Sequence, residues 1–196
     1  MNGELALLGK YCTIRSGQTF KGRLDEYSKG DITVLLPKDI IATGSIDKNA
    51  TKVDAGAVPQ IERHLLKKGE IIMVNKGVRF STFLYDGVVP NVIATTAFYV
   101  ITPSEYLMPE YLYWYLNQEE AKTYLTDNTQ GSVIPTITKS VLMQLPVPLI
   151  PLATQNSILE FLKRSRTEVD LLKELIQKKE AFSDSYIWEV IQKYNN

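Results

Sequence analysis

A chain of 196 residues with 22 Lys+Arg against 22 Asp+Glu carries no net charge, so no bulk field marks a nucleic-acid or acidic partner. The charge is uneven: residues 1–80 carry thirteen Lys+Arg against nine Asp+Glu, and residues 81–153 carry two against six, so the first half can present a basic face. One cysteine, Cys12, and one histidine, His64, leave no intramolecular disulfide, no thiolate metal site and no multi-histidine metal site.

The opening "MNGELALLGK" has no basic segment followed by an apolar core, and no apolar run approaches the ~18–20 residues that cross a bilayer. The expectation is a cytoplasmic protein without membrane contact. Short apolar runs of β character follow: "ITVLL" (32–36), "EIIMV" (70–74) and "TTAFYVI" (95–101), separated by turn-rich stretches. "MPEYLYWYLNQEEAKTYL" (108–125) reads as one helix, with Leu112, Leu116 and Tyr124 at helical spacings and Pro109 in its first turn. Its aromatic run "YLYWYL" (111–116) could offer stacking platforms for bases, but on a helix it covers all sides, and core packing is the better reading. "TDNTQGSVIPT" then leads to a short helical piece around "KSVLMQ". Strands and helices mix without βαβ regularity, which predicts an α+β fold.

From Thr154 to about Lys193 there is no Gly and no Pro. Apolar residues Ile158, Leu162, Val169, Leu172, Ile176, Tyr186 and Val190 keep the four–three step of a coiled coil, broken only at Ser165, Lys179 and Ser183. Thr154 is the expected N-cap. Phe161, Leu171, Leu175, Phe182 and Trp188 widen the stripe beyond what one helix can bury alone, so the tail is expected to pair with another helix, most simply its copy in a second chain. Between the two parts lies "LPVPLIP" (145–151). Its prolines lack N–H groups and push their neighbours to extended conformations, so it reads as a stiff strap that leaves the globular part and fixes where the helix starts. Pro148 and Pro151 have the spacing of an SH3-type ligand, but the Leu, Ile and Val around them favour burial. The predicted organisation is a globular domain of mixed β-sheet and short helices over 1–150 and a long C-terminal coiled-coil helix within 151–196.

Catalytic chemistry finds little support. No Asn-Pro-Pro-Tyr motif and no Gly-rich cofactor loop between strand and helix is present, and His64 is the sole candidate base, in a segment that reads as a surface turn. Asp25/Glu26 and Glu119/Glu120 read as solvated faces. The chain is expected to be non-catalytic and to hold no cofactor or metal.

Five segments in order carry a resemblance: "LGKYCTIRSGQTFK" (8–21), "LLPKDI" (35–40), "HLLKKGEIIMVNKG" (64–77), "YLMPEYLYWYL" (106–116) and "GSVIPTITKSVLMQLPVPLIPLATQNSILEFL" (131–162). Together they resemble the target-recognition domain of the specificity subunit of a type I restriction-modification system. In that family a Gly-containing loop, a short helix, a proline segment and a Gln near the start of a long helix follow in this order. Glu70 stands where the family more often has Asp. Family members usually carry two such domains in tandem, and no second copy of "SGQTF" or "PVPLIPLATQ" occurs here, so the chain resembles half a subunit.

The resemblance implies a sequence-specific reader of double-stranded DNA, taking one half of a bipartite site as a homodimer through the C-terminal helix. It implies a partner modification (methyltransferase) subunit that brings the S-adenosylmethionine, and a translocating restriction subunit as a further partner. Three polar loops suit DNA contact. Residues 16–23 bring Gln18, Thr19, Lys21 and Arg23, with glycines that let backbone approach a phosphate; residues 75–81 bring Asn75, Lys76, Arg79 and Ser81; residues 128–133 bring Asn128, Thr129, Gln130 and Ser132. Each alone also suits an ordinary polar turn. The rival reading is a non-catalytic coiled-coil adaptor whose globular part binds protein or glycan. A DNA reader must lose affinity steeply with salt, and an adaptor need not.

Overall fold

The computed structural model describes residues 4–20, 30–40, 45–47, 49–77, 80–131 and 134–195. The chain divides into two units, Met1–Gln155 and Asn156–Asn196. In the first, β1 (Glu4–Leu7), α1 (Leu8–Tyr11), β2 (Cys12–Ser16), β3 (Ile32–Leu35), β4 (Lys52–Val53), β5 (Ile71–Val74), β6 (Thr82–Leu84), β7 (Val92–Ala94) and β8 (Phe98–Pro103) precede α2 (Pro109–Leu116), α3 (Glu119–Asp127), α4 (Lys139–Met143) and β9 (Pro146–Leu149). A long helix, α5, runs over Leu152–Tyr194. The fold is α+β, as expected.

Among the described residues the strands make an antiparallel sheet of order β2-β8-β5-β6, a sheet of order β4-β3-β7 in which β3 and β7 are parallel, and the pair β1-β9. β7 and β8 are nearly consecutive yet lie in different sheets, so the Thr95–Ala97 turn carries the chain from one sheet to the other. The expected strand over 95–101 therefore begins only at Phe98. Side chains alternate across a strand, and β7 uses both faces: Val92 and Ala94 join Leu35, Ile72, Phe98 and Val100 in one core cluster, while Ile93 joins Ile32, Val34 and Val53 in another.

α2 packs against β6 and β8 and buries Tyr111, Leu112, Tyr115 and Leu116, so the aromatic run serves the core. Pro109 occupies the start of α2, where a missing N–H leaves no helical bond unmade. The single helix expected over 108–125 is two. Asn117 Nδ2 donates back to Tyr113 O (2.8 Å) and across to Thr82 Oγ1 (2.7 Å), and Gln118 turns extended (ψ 160°), which ends one helix and starts the next. The new phase buries Ala121 and Leu125 and leaves Tyr124 only half-buried. α4 begins as its sequence requires, with Thr138 Oγ1 accepting from Val141 N.

The proline segment departs from its expected role as a strap leaving the domain. Pro146–Leu149 is a strand, antiparallel to β1, with Leu7 opposite Pro146 and Leu5 opposite Pro148. Leu8 N donates to Leu145 O at 2.9 Å. Hydrogen-bonded pairs alternate along an antiparallel ladder, so Ala6–Val147 and Glu4–Leu149 are the bonded pairs and both prolines fall at positions that need no N–H toward β1. Their carbonyls face the other edge, where Tyr115 Oη donates to Pro146 O (2.7 Å) and Tyr111 Oη to Pro148 O (3.0 Å). Burial pushes both phenols above their ordinary pKa, so they remain donors. Tyr111→Phe and Tyr115→Phe are each expected to lower stability by about 1 kcal/mol, read as a shift in the urea midpoint at constant slope. An unchanged midpoint in both would remove the hydroxyls from this account.

α5 starts two residues earlier than expected. Thr154 N (2.9 Å) and Gln155 N (3.0 Å) both donate to Pro151 O, which places Thr154 inside the first turn and not at its cap. Gln155 is fully buried. Its Oε1 accepts from Met108 N (2.8 Å), and its Nε2 donates to Tyr106 O (2.9 Å) and Ile150 O (2.8 Å).

In Asn156–Asn196, Ile158 and Leu162 are half-buried, while Val169, Leu172, Ile176, Tyr186 and Val190 are 44–58% exposed in the single chain. Lys178–Glu174 and Lys193–Glu189 pair one turn apart, both at 2.6 Å. Among the described residues no helix is long and apolar enough to cross a membrane.

Candidate nucleic-acid interface

The first and second polar loops meet at the Thr95–Ala97 turn, and the third joins them through the second. From the first loop, Gly17 N donates to Phe98 O (3.1 Å) and Gln18 N to Ala94 O (2.7 Å), so Gln18 bridges Thr95. A Cβ on Gly17 would lie 2.0 Å from Thr95 O. The space that a bare α-carbon leaves is thus filled by the protein's own backbone and not by a phosphate. Thr95 is tied in turn to β3, its N and its Oγ1 both donating to Leu35 O (3.2 and 3.1 Å).

From the second loop, Asn75 N donates to Ala97 O and Asn75 Nδ2 to Thr96 O, each at 3.0 Å. The third loop joins through its return leg: Ile137 N donates to Asn75 O (3.0 Å), Gly77 N to Pro135 O (2.8 Å), and Gln130 and Thr136 exchange two backbone bonds (2.9 and 2.8 Å). Gly77 (φ +110°) and Gly131 (φ +93°) supply left-handed turns on either side of this pairing.

Of the residues expected to touch DNA, Thr19, Lys76, Ser81, Asn128 and Gln130 are exposed, Gln18 and Thr129 are half-buried, and Asn75 is buried. Lys21, Arg23, Arg79 and Ser132 lie outside the described residues. Asn128 and Thr129 also finish α3 locally, with Asn128 Nδ2 donating to Tyr124 O (2.8 Å) and Thr129 Oγ1 to Thr126 O (3.0 Å). An open cleft of about 630 Å3 runs from Phe80, Ser81 and Phe83 to Lys122, Thr126 and Asp127. Glu119 and Asp127 outnumber Lys122 on its walls, which disfavours a phosphate there.

The two groups with reactive potential are quiet. Burial pushes the Cys12 thiol up to about 12, against a smaller opposing hydrogen bond at Ser104, so the thiolate is absent at neutral pH. Burial, then the charges of Arg15 and Arg63, hold His64 below its ordinary value. Among the described residues no three His, Cys, Asp or Glu side chains gather as a metal site.

A model of the type I restriction modification DNA specificity domain matches residues 6–181. The chain belongs to this family. The specificity subunit of the type I restriction enzyme MjaIX from Methanocaldococcus jannaschii is 25% identical over 138 residues, which are 69% of this chain and 31% of that subunit. The HsdS subunit from Thermoanaerobacter tengcongensis shares the fold at a TM-score of 0.66 and 19% identity, over 87% of this chain and 39% of that one. A chain from a structural study of type I R-M complex assembly and conformational transition aligns at a TM-score of 0.65 and 19% identity, over 91% and 42%. The type I S subunit from M. genitalium aligns at 0.57 and 15%, over 93% and 44%. The chain thus spans less than half the length of each of these relatives.

Two features of this type I specificity domain were not read from its sequence. One is the Thr95–Ala97 turn itself, whose "TTA" continues a β-prone run and gives no local turn signal. The other is the role of Glu70, 4% exposed, which accepts from Arg15 (2.8 Å), Thr102 Oγ1 (2.8 Å) and Lys67 N (2.8 Å) and so ties β2, β8 and the turn before β5 together. Its position before "IIMV" marked it as unusual; only the partners, 32 and 55 residues away, explain it.

Proposed function

We propose that this specificity domain reads one half of a bipartite double-stranded DNA site with the loop edge gathered at Thr95–Ala97, and that α5 pairs with a second copy to carry two such domains. The observation that carries the reading is the gathering of three polar loops on one edge, two of them on a turn between two sheets and the third on the second loop, in a chain of this family. Paired sheets beneath polar loops are what base reading needs: phosphate contacts position the protein and base-edge contacts choose the sequence. The helix seam, exposed in the single chain, supports the pairing.

A two-fold dimer reads a palindromic site, with half-sites about one to one-and-a-half helical turns apart. The domain is non-catalytic. A modification subunit brings S-adenosylmethionine and transfers the methyl group to adenine, and a translocating restriction subunit completes the restricting form of the assembly. The surplus apolar residues beside the seam, Leu171, Leu175, Phe182 and Trp188, all at least 60% exposed, offer those subunits a surface.

The test is the methylome of the source cell, read by single-molecule sequencing with the gene present and deleted while the modification gene is shown to be expressed. Loss of adenine methylation at one bipartite palindrome is expected. Loss of a non-palindromic bipartite motif would replace the homodimer with a mixed pair, and survival of every motif would return the coiled-coil adaptor.

A further inference from the structure

Resting on the reading of this edge as a DNA surface, we propose that Asn75 is a positioning residue, which holds the recognition loops in one register from inside the protein without touching DNA. Asn75 is 5% exposed and sits where β5 ends. Its three bonds go to three different places: backbone N to Ala97 O, side-chain Nδ2 to Thr96 O, and backbone O from Ile137 N, each 3.0 Å. The first two hold the turn that receives Gln18, and the third holds the leg that pairs with Gln130 and with Lys76. Asn75, in the second loop, is thus the link between the turn that the first loop meets and the return leg of the third.

The side chain contributes a single bond, and it is a donor's. Asn75 Oδ1 is buried and has no hydrogen-bond partner among the described residues. The amide's contribution to the turn is the N–H it gives to Thr96 O at 3.0 Å. Its effect is on neighbours that do reach solvent. Thr96 is exposed on the turn, and Lys76, next in sequence, is exposed beside Thr136. Displacing the turn moves them relative to one another. Base-edge bonds depend on such relative positions far more than phosphate contacts do.

Asn75→Asp keeps the shape and replaces the donor by a carboxylate oxygen facing the Thr96 carbonyl. The full chain would be used to select from a duplex library with a randomised core, and wild-type and variant affinities would then be measured on the enriched duplex and on its scrambled version over a range of salt. The variant is expected to lose about tenfold or more in the ratio of specific to scrambled affinity, with scrambled affinity and its salt slope unchanged. Lys76→Ala should do the reverse, weakening both duplexes alike and reducing the salt slope by about one. If Asn75→Asp does not fold, Asn75→Ser, uncharged and smaller, carries the same comparison.

A folded variant with an unchanged ratio overturns the proposal, as does a parallel fall on both duplexes or the unfolding of both variants, since each makes Asn75 a residue of the fold at large. A wild-type chain that enriches no sequence instead overturns the DNA reading itself, before any variant is compared.

Discussion

Replacing Leu172 and Ile176 together by lysine is expected to convert a dimer into a monomer. Both side chains lie on the four–three seam and are 52% and 57% exposed in the single chain. Pairing two helices would take four such side chains out of water, each worth roughly 1.5–3 kcal/mol when fully buried. The double variant loses that gain and sets lysines against lysines across the seam. A helix of 43 residues is about 65 Å long, and its Glu174–Lys178 and Glu189–Lys193 pairs do not involve the seam, so much of its helicity should survive the change.

Sedimentation velocity checks the mass, and far-UV circular dichroism checks the helix. The consequence for DNA follows from linkage of two readers. Joined domains bind a second half-site as an intramolecular event, an advantage of about 10²–10⁴ in overall affinity. The variant should forfeit that factor on a duplex with two half-sites and keep wild-type affinity on a duplex with one. A wild-type chain that sediments as a monomer, or a double variant that stays dimeric, would sink the self-pairing of α5.

The second large effect lies at Gln155. Gln155→Leu preserves volume and removes three hydrogen bonds at once, leaving Met108 N, Tyr106 O and Ile150 O without the partners they now have. An unsatisfied backbone group costs about 1–3 kcal/mol if water does not reach it. Tyr106 is exposed and Met108 and Ile150 are half-buried, so water recovers part of the loss. The expected cost is about 3 kcal/mol or more, far beyond the ~1 kcal/mol predicted for either tyrosine hydroxyl. Chemical denaturation of the full chain measures it. A cost below that of Tyr111→Phe would show that the Met108 segment and the first turn of α5 do not depend on this amide.

These two sites, the seam and Gln155, also mark what could be read in advance. The seam is local: a four–three step, no Gly and no Pro in some forty residues suffice for a helix with one apolar stripe, whatever the rest of the chain does. Pro109 at a helix start and the short helix at Lys139–Met143 are legible for the same reason. Gln155 is a different matter, because nothing beside it in sequence announces that its partners are Tyr106 and Met108, almost fifty residues earlier.

The sequence by itself therefore determined the α+β class, the long helix with its seam, the core role of the "YLYWYL" run and the identity of the polar loops, since each rests on residue type and period over a few neighbours. Tertiary structure decided the rest. It cut one helix into two, because Asn117 has a better partner in Thr82 than in a continued helix. It made "PVPL" a strand, because β1 needs no N–H from either proline and two tyrosines cover the other edge. It spent the bareness of Gly17 on the Thr95 carbonyl and buried Asn75 under the turn it holds. Such choices turn on hydrogen bonds between groups from about twenty to about 140 residues apart, and a periodicity confined to neighbours carries no trace of them.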